Sequence, residues 1–206
     1  MKIAVIGTGR VGSVLGRRWV EVGHSVILGS RRANAPDATT LFDLPVALPV
    51  EAAQQADIVV LATPWPATED AVKSLGDLTG KILIDCTNPL GAGFSFEGTP
   101  GNSGAEQVSQ WAKGARVVKA FNTTGAKNMG DPVLEGKKLM MFICGDDADA
   151  KQDVMQLAKD LDFEAVDSGS LSHAIYLESL AMLWITQAFQ NGWGPDFGFA
   201  IVRRPA

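Results

Sequence analysis

The sequence predicts a doubly wound α/β fold, with a mostly parallel sheet of about eight strands and a short helical extension at the C-terminal end. Short β-branched runs alternate with helical patterns along the 206 residues, which is typical of a parallel sheet covered by helices. Most of the runs are continuously apolar, as strands buried on both faces are. A glycine-rich turn joins the first run to the first helical pattern.

Eight β-branched runs are the predicted strands. They span residues 2–7, 25–30, 46–50, 57–63, 81–85, 116–122, 139–145 and 164–167. Parallel neighbours need a long crossover, usually a helix. The connector before the seventh run contains glycine and proline and has no clear long helix. We therefore expect the seventh strand to break the parallel pattern.

Three helices are predicted between the strands. Apolar residues recur with helical spacing from Val11 to Val22, so a helix follows the first strand. Ser103 and Glu106 have the spacing of a capping box, which begins a helix that continues to about residue 113. Residues 148–161 form a further amphipathic helix.

A fourth helix, residues 174–189, is apolar nearly all round. A helix without a polar face must be covered on all sides. In a chain of this size, we expect part of that cover to come from a second subunit, which predicts a homodimer. The alternative is that the helix lies between the sheet and the C-terminal tail of its own chain.

Composition and charge exclude several function classes. The 18 Lys and Arg against 23 Asp and Glu give a formal net charge of −5, whereas a nucleic-acid-binding domain needs a basic face. The most apolar stretch, residues 180–185, has six residues, and a membrane span needs about 20. The first residues lack the pattern of a signal peptide. We therefore expect a cytoplasmic protein that binds neither nucleic acid nor a membrane.

The cysteines and histidines indicate neither a metal site nor a redox site. Cys86 and Cys144 each lie within an apolar run and form no Cys-x-x-Cys pair, which is typical of buried, reduced thiols. His24 and His173 are far apart in the chain and lack the spacing of metal ligands.

The turn after the first strand has the pattern Gly-x-Gly-x-x-Gly. Its residues are Gly7, Thr8, Gly9, Arg10, Val11 and Gly12. Between a strand and a helix, the first glycine makes the tight turn and the second lets the backbone approach a pyrophosphate. The third lets the helix pack close to the strand. The helix N-terminus then offers free N–H groups and a positive dipole to the phosphates. The turn therefore predicts a Rossmann-type dinucleotide site.

The end of the second strand predicts NADP rather than NAD as the dinucleotide. A site for NAD places Asp or Glu there to bind the ribose 2′-hydroxyl. This strand ends instead in Ser30, Arg31 and Arg32, and the next carboxylate is that of Asp37. A hydroxyl and two guanidinium groups suit a 2′-phosphate. The alternative is that both arginines are solvated surface residues.

More polar and aromatic residues follow the fourth, fifth and sixth strands, at the edge where ligands bind in open α/β sheets. We place Thr63, Pro64, Trp65, Asn88, Asn122 and Thr123 near the nicotinamide. Asn88 and Asn122 are candidates for orienting the nicotinamide, and Trp65 is either a stacking wall or a core residue. We interpret Asp85 as a structural carboxylate. These segments contain no convincing acid–base pair, which suits hydride transfer because that reaction needs mainly approach and orientation.

The long loop at residues 91–101 is predicted to be a binding loop or lid. The alternative is a surface excursion without a functional role. Met182 and Trp184, on the last helix, are candidate apolar walls for the hydride acceptor.

Over essentially its whole length, the chain resembles the NADPH-dependent reductases of the deazaflavin coenzyme F-420. The matching segments are the glycine turn and residues 29–32, 64–65, 144–147 and 177–180. The chain is also similar to the cytosolic NADPH domain of the six-transmembrane metalloreductases, in residues 81–85, 88–89, 118–122 and 166–171.

The resemblance implies NADPH use and a set of binding residues. Residues 8–11 would hold the pyrophosphate, and residues 30–32 would hold the 2′-phosphate. Trp65, Leu90 and Ala126 would line the nicotinamide half, with Ala120 beside them. The chain has Asn122 where archaeal deazaflavin reductases carry His and where the metalloreductases carry Asn. It has Thr124-Gly125 where those archaeal enzymes carry Ile-Pro.

Together these features predict an NADPH-dependent oxidoreductase. Residues 1–168 would form the NADP-binding domain, and residues 169–206 would close the cleft and make the dimer contact. The expected reaction is hydride transfer between NADP(H) and a deazaflavin. The alternatives are an NADPH-dependent flavin or ferric reductase and a non-catalytic NADPH-binding sensor. A hydroxyacid or imine dehydrogenase is disfavoured, since the hydroxyacid type carries a large helical C-terminal domain.

Overall fold

One eight-stranded sheet forms the centre of the protein in a computed structural model that describes residues 1–35 and 44–204. Its strands are β1 Lys2–Ile6, β2 Ser25–Gly29, β3 Val46–Ala47, β4 Ile58–Leu61, β5 Ile82–Asp85, β6 Arg116–Lys119, β9 Met140–Gly145 and β10 Glu164–Asp167. Two further short strands, β7 Val133–Leu134 and β8 Lys137–Lys138, form a separate antiparallel pair.

Helices connect most of the strands. They are α1 Arg10–Glu21, α2 Pro49–Gln54, α3 Thr68–Lys73, α4 Gly104–Trp111, α5 Ala126–Gly130, α6 Ala148–Asp160 and α7 Ala174–Ile185. A turn of π-helix, Thr186–Gln190, extends α7. The capping box predicted for Ser103 and Glu106 is present at the start of α4, where the Ser103 side chain accepts from the Glu106 backbone N–H.

The strand order is β10-β9-β6-β5-β4-β1-β2-β3. All neighbours in this sheet are parallel except β6 and β9, which are antiparallel. The doubly wound α/β fold is therefore confirmed, and so is the break in direction at the seventh predicted strand. Because the chain runs from β1 to β2 on one side and later to β4 on the other, the strand order reverses at β1, where ligands bind in such sheets.

Two of the predicted strands extend three residues beyond the observed end. The strand predicted at residues 46–50 is wrong in its second half, because Pro49 is the first residue of α2, a position that its fixed φ and missing N–H suit. The strand predicted at residues 116–122 ends at Lys119. Phe121 follows with a φ of 56°, a left-handed conformation that no strand continues.

Apolar layers cover both faces of the sheet. Along β1, Ile3 and Val5 belong to one layer, while Ala4 and Ile6 belong to the other. All four are buried, which explains why the strand is continuously apolar in sequence. The helices that cover the two faces leave the carboxyl ends of the strands as the place for a cleft.

Helix α7 buries only part of its surface within the described chain. Ala174, Leu177, Ala181 and Trp184 are buried. Tyr176 and Leu183 are 67% and 49% exposed. The described part of the chain contains no helix that is long and apolar enough to cross a membrane.

Candidate cofactor site

Two cavities lie at the carboxyl ends of the central strands and share part of their walls. The larger, about 810 Å³, is lined by the glycine turn, the end of β2 and one side of α3. The smaller, about 470 Å³, is lined mainly by the segments that follow β4 and β5. Both include Val11, Ala62, Thr63 and Pro64 in their lining. The two cavities therefore form one elongated cleft across the point where the strand order reverses.

Each glycine of the turn is required for a different physical reason. Gly7 has a φ of +108°, and a Cβ there would lie 2.4 Å from the Ala62 carbonyl oxygen. A Cβ on Gly12 would lie 1.9 Å from the Gly7 carbonyl oxygen, so this glycine permits the close approach of α1 to the turn. No described atom lies within 4 Å of a Cβ built on Gly9. Gly9 therefore leaves open space in the wall of the larger cavity.

The first turn of α1 suits an anion. Gly9 precedes the helix, and no described side chain caps it. The first turn contains no acidic residue, so its free N–H groups and the positive end of the helix dipole remain available to a ligand. Thr8, Arg10 and Val11 line the larger cavity beside them.

The residues predicted to bind the 2′-phosphate lie together at the end of β2. Ser30, Arg31 and Arg32 all line the larger cavity. The Ser30 hydroxyl accepts a hydrogen bond of 3.1 Å from the Arg32 backbone N–H, which fixes the turn after the strand. Both arginines are exposed. Residues 30–35 contain no acid, and Asp37 lies outside the described residues.

The smaller cavity is lined by five of the residues predicted for the nicotinamide half, and Thr63 and Pro64 are two of them. Trp65, Asn88 and Leu90 line it, together with Cys86 and Thr87. Trp65 also packs on Trp111 with ring centroids 5.6 Å apart, so it is both a cavity wall and a packed aromatic residue. The Cys86 thiol is protonated at neutral pH, because burial and the charge of Asp85 raise its pKa.

Asn88 and Asn122 form a reciprocal amide pair. The Asn88 side-chain nitrogen Nδ2 donates to the Asn122 backbone carbonyl oxygen at 3.1 Å, and the Asn122 side-chain nitrogen Nδ2 donates to Asn88 Oδ1 at 3.0 Å. Asn122 is 5% exposed, and its Oδ1 is buried without a hydrogen-bond partner among the described residues. The pair therefore leaves one buried acceptor, Asn122 Oδ1, unsatisfied among the described residues.

Several other predicted residues line neither cavity, and Thr123 and Met182 are among them. Asn122 reaches the smaller cavity only through Asn88. Ala120 is fully buried, and Ala126 is half-buried at the start of α5. Trp184 is 4% exposed, and its ring stacks on Phe197 with a centroid separation of 5.4 Å. Its face is therefore covered by the protein's own C-terminal segment.

The turn that carries Asn122 is held by Phe121. Its positive φ is uncommon for a bulky residue. The Phe121 ring is fully buried and packs edge-on against Trp19, with centroids 5.4 Å apart, and against Phe163. Its backbone N–H donates to the Met141 sulfur. Packing therefore holds a strained residue where the chain turns from β6 toward the cleft.

The loop at residues 91–101 contributes to the wall of the smaller cavity. Gly91 and Gly93 line the cavity. Two isolated bridges, between Leu90 and Phe96 and between Thr99 and Asn102, fold the loop back on itself. Its place at the cleft is the one expected for a binding loop.

Three buried charged residues next to this cleft were not predicted as a group. Lys119 Nζ lies 2.8 Å from Asp85 Oδ2 and 3.1 Å from Glu178 Oε1, and all three side chains are fully buried. Burial lowers the pKa of Lys119, but the charges and hydrogen bonds of the two carboxylates outweigh it and raise the pKa to about 12. The available sequence signal was a lysine in an apolar strand and a glutamate in an apolar helix.

Comparison with known proteins gives consistent matches. The family model described as "NADP oxidoreductase coenzyme F420-dependent" matches residues 2–89. The F420-dependent NADP reductase of Methanothermobacter thermautotrophicus is 32% identical over 211 residues, which cover 93% of this chain and 90% of that protein. A crystal structure from an Arthrobacter species, provisionally described as an F420-dependent NADP reductase, has a TM-score of 0.90 at 33% identity. That match covers 98% of this chain and 100% of the other.

A membrane metalloreductase is also similar. Metalloreductase STEAP3 of Rattus norvegicus is 30% identical over 184 residues, which cover 88% of this chain. The match covers only 36% of the rat protein, so the chain corresponds to about a third of that relative's length.

Proposed function

Because this chain belongs to the family of F420-dependent NADP reductases, we propose that it transfers hydride between NADP(H) and a deazaflavin coenzyme. It is an NADP-dependent oxidoreductase. The observation that carries the proposal is the single elongated cleft. One end of the cleft has the features of a dinucleotide phosphate site, and the other is a smaller chamber lined by Trp65, Asn88 and Leu90.

The chain's own residues fit NADP at the larger cavity. The open space at Gly9 admits a pyrophosphate, and the N–H groups of the first turn of α1 are placed to donate to it. Ser30, Arg31 and Arg32 would bind the 2′-phosphate at the other end of the cavity. Bound NADPH supplies a hydride from carbon 4 of its nicotinamide.

The smaller cavity would hold the nicotinamide half and part of the acceptor. Trp65, Asn88 and Leu90 form its wall. The chain's contribution to the reaction is to hold two flat rings in contact and to limit the access of water. No side chain is required as a proton donor, since solvent water can protonate the reduced acceptor.

Oxidation of NADPH with a panel of acceptors tests this proposal. The panel contains a deazaflavin, flavin mononucleotide, riboflavin, a quinone and a ferric chelate, and NADPH loss is followed by its near-ultraviolet absorbance. We expect the deazaflavin to be reduced fastest. If no acceptor supports turnover while NADPH binds, the protein is an NADPH-binding sensor and the proposal is wrong.

A flavin or ferric reductase is the second candidate function. It is favoured by Asn122, which the metalloreductases share, and by the similarity to the rat metalloreductase. This alternative would be supported if a flavin or a ferric chelate were reduced clearly faster than the deazaflavin in the same panel.

Replacing Asn122 with alanine should slow turnover without abolishing it. The substitution removes the bond that holds Asn88 Oδ1, and Asn88 lines the smaller cavity. We expect kcat to fall about tenfold, as loss of an orienting contact of about 1.4 kcal/mol would produce. Steady-state kinetics measure the effect. Complete inactivation would instead assign a direct chemical role to Asn122.

We propose that residues 169–206 form the extension that makes a homodimer contact. Tyr176 and Leu183 lie seven residues apart on the exposed side of α7, and Phe189 and Trp193 beyond it are 58% and 65% exposed. These apolar side chains would be covered by a second copy of the chain. An obligate interface of this kind buries on the order of 2,000 Å² or more.

Light scattering at micromolar concentration tests the dimer. The expected mass is about twice 21.8 kDa for the unchanged protein. Leu183→Glu should give a monomer, because a charge cannot be buried in an apolar interface without a partner. Val20→Glu, at a 42% exposed valine on α1, is the matched control and should remain a dimer. A monomeric unchanged protein would contradict the proposal.

A further inference from the structure

A closed network of hydrogen bonds surrounds the buried charges Asp85, Lys119 and Glu178. In addition to its two ion pairs, Lys119 Nζ donates to the Thr87 carbonyl oxygen. Each of the three ammonium hydrogens therefore has an acceptor. Asp85 Oδ1 accepts from the Thr87 backbone N–H at 2.9 Å and from the Thr87 hydroxyl at 2.7 Å.

Glu178 connects this network to two further parts of the fold. Its carboxylate accepts from the backbone N–H groups of Gly104 and Ala105, at 3.0 and 3.1 Å. These are the first two residues of α4, so the positive end of that helix stabilises the carboxylate. A Cβ on Gly98, in the loop at residues 91–101, would lie 3.2 Å from Glu178 Oε2. Glu178, on helix α7, thus binds the start of α4 and lies next to the cleft loop.

Thr87 is where the network meets the cleft. Its N–H, its hydroxyl and its carbonyl oxygen are all bound by Asp85 or Lys119. Thr87 lines the smaller cavity together with its neighbours Cys86 and Asn88. Asn88 in turn holds Asn122. The buried charges therefore fix the stretch of backbone that forms one wall of the smaller cavity.

Stability alone does not account for such a cluster. Burying a lysine and two carboxylates carries a large desolvation cost, and apolar residues of similar volume often stabilise a core at least as well. What apolar residues cannot provide is a fixed set of hydrogen bonds to the backbone of Thr87. The hydrogen bonds to Thr87 therefore point to positioning of the backbone as the role of the cluster.

We propose that Lys119 is a positioning residue for hydride transfer, whose ion pairs with Asp85 and Glu178 hold Thr87 and Asn88 as a rigid wall for the nicotinamide half of NADP(H). This inference rests on the proposed NADP site. Lys119 acts through Thr87 and is not a proton donor, because it is fully buried and keeps its proton at neutral pH. The same ion pairs attach helix α7 to the wall.

The test measures the binding of the adenosine end separately from the binding of the whole dinucleotide. Calorimetry measures the Kd of adenosine 2′,5′-bisphosphate, which contacts only the adenosine end, and the Kd of NADP⁺. The Kd of the bisphosphate divided by the Kd of NADP⁺ reports how much the rest of the dinucleotide, including the nicotinamide half, adds to the affinity. In Lys119→Met we expect the first Kd to stay within about twofold and the ratio to fall about tenfold.

Turnover gives a second readout. With the best acceptor of the panel, Lys119→Met should lower kcat at least about tenfold with a smaller change in the KM for NADPH. The deuterium isotope effect measured with 4-deuterated NADPH should rise, since a misplaced nicotinamide makes hydride transfer more rate-limiting. A role confined to folding would not change the isotope effect.

Two further variants serve as a matched control and as a substitute in case Lys119→Met does not fold. Lys138→Met removes an exposed lysine that is paired with Asp162, and it should behave as the unchanged protein. If Lys119→Met does not fold, the double variant Lys119→Met/Glu178→Gln removes one charge of each sign. That variant keeps the bonds between Asp85 and Thr87, and it should show the same loss in the Kd ratio.

The inference is overturned if a folded Lys119 variant retains the Kd ratio of the unchanged protein. It is also overturned if both Kd values weaken together, because the cluster would then only maintain the fold. Failure of the acceptor panel leaves the Kd ratio measurable, so the loss of the proposed reaction and the loss of this inference give different results.

Discussion

Gly9→Ala should abolish dinucleotide binding while the fold remains intact. The φ of Gly9 is −74°, which alanine adopts without strain. No described atom lies within 4 Å of the added Cβ, so the protein itself accommodates the methyl group. The methyl group would, however, occupy the space through which the pyrophosphate approaches the backbone. We expect the Kd for NADP⁺ to rise at least about 100-fold, or about 2.7 kcal/mol.

Calorimetry measures the affinity for NADP⁺, and thermal unfolding measures whether the fold remains stable. Gly12→Ala is a contrasting variant, because its Cβ would lie 1.9 Å from the Gly7 carbonyl oxygen and should lower the melting temperature. Gly130→Ala is the matched control. Its Cβ would meet Val14 at an ordinary 3.4 Å, and it lines neither cavity. If Gly9→Ala binds with unchanged affinity, the glycine turn has only a structural role.

The fold was predictable because its signals are local in the sequence. The continuously apolar β1 and the helical apolar spacing of α1 follow from residues close in the chain. The antiparallel β9 was predictable because the connector before it contains glycine and proline and has no clear long helix, which a parallel crossover usually uses. The ends of two strands were harder to predict. Pro49 suits the start of a helix as well as the end of a strand. The conformation of Phe121 depends on its packing against Trp19 and Phe163, which are distant in sequence.

The candidate site was predictable where topology alone brings residues together. The carboxyl ends of parallel strands meet at one edge, so Thr63 and Asn88 were expected to lie near the glycine turn, and they line the cleft. The partners of Lys119 were not predicted. Glu178 lies on a helix far along the chain, and its contact with Lys119 depends on how α7 packs. No spacing in the sequence specifies such a contact.

Arg31→Ala should remove most of the preference for NADPH over NADH. The unchanged protein should bind NADPH at least about tenfold more tightly, because a guanidinium and a hydroxyl stand where a site for NAD has an acid. Arg31 is exposed and lines the larger cavity. The substitution should cost about 1.5–3 kcal/mol for NADPH and little for NADH.

Competition between the two dinucleotides measures this change, with Arg17→Ala as the control. Arg17 is an exposed arginine on α1 that lines neither cavity, so both affinities should stay unchanged in that variant. Raising the ionic strength should reduce the NADPH preference of the unchanged protein, since exposed charges are screened by salt. Equal affinities for NADPH and NADH in the unchanged protein would contradict the assignment of residues 30–32 to the 2′-phosphate. Both arginines would then be solvated surface residues, and the cleft would accept either dinucleotide through the glycine turn alone.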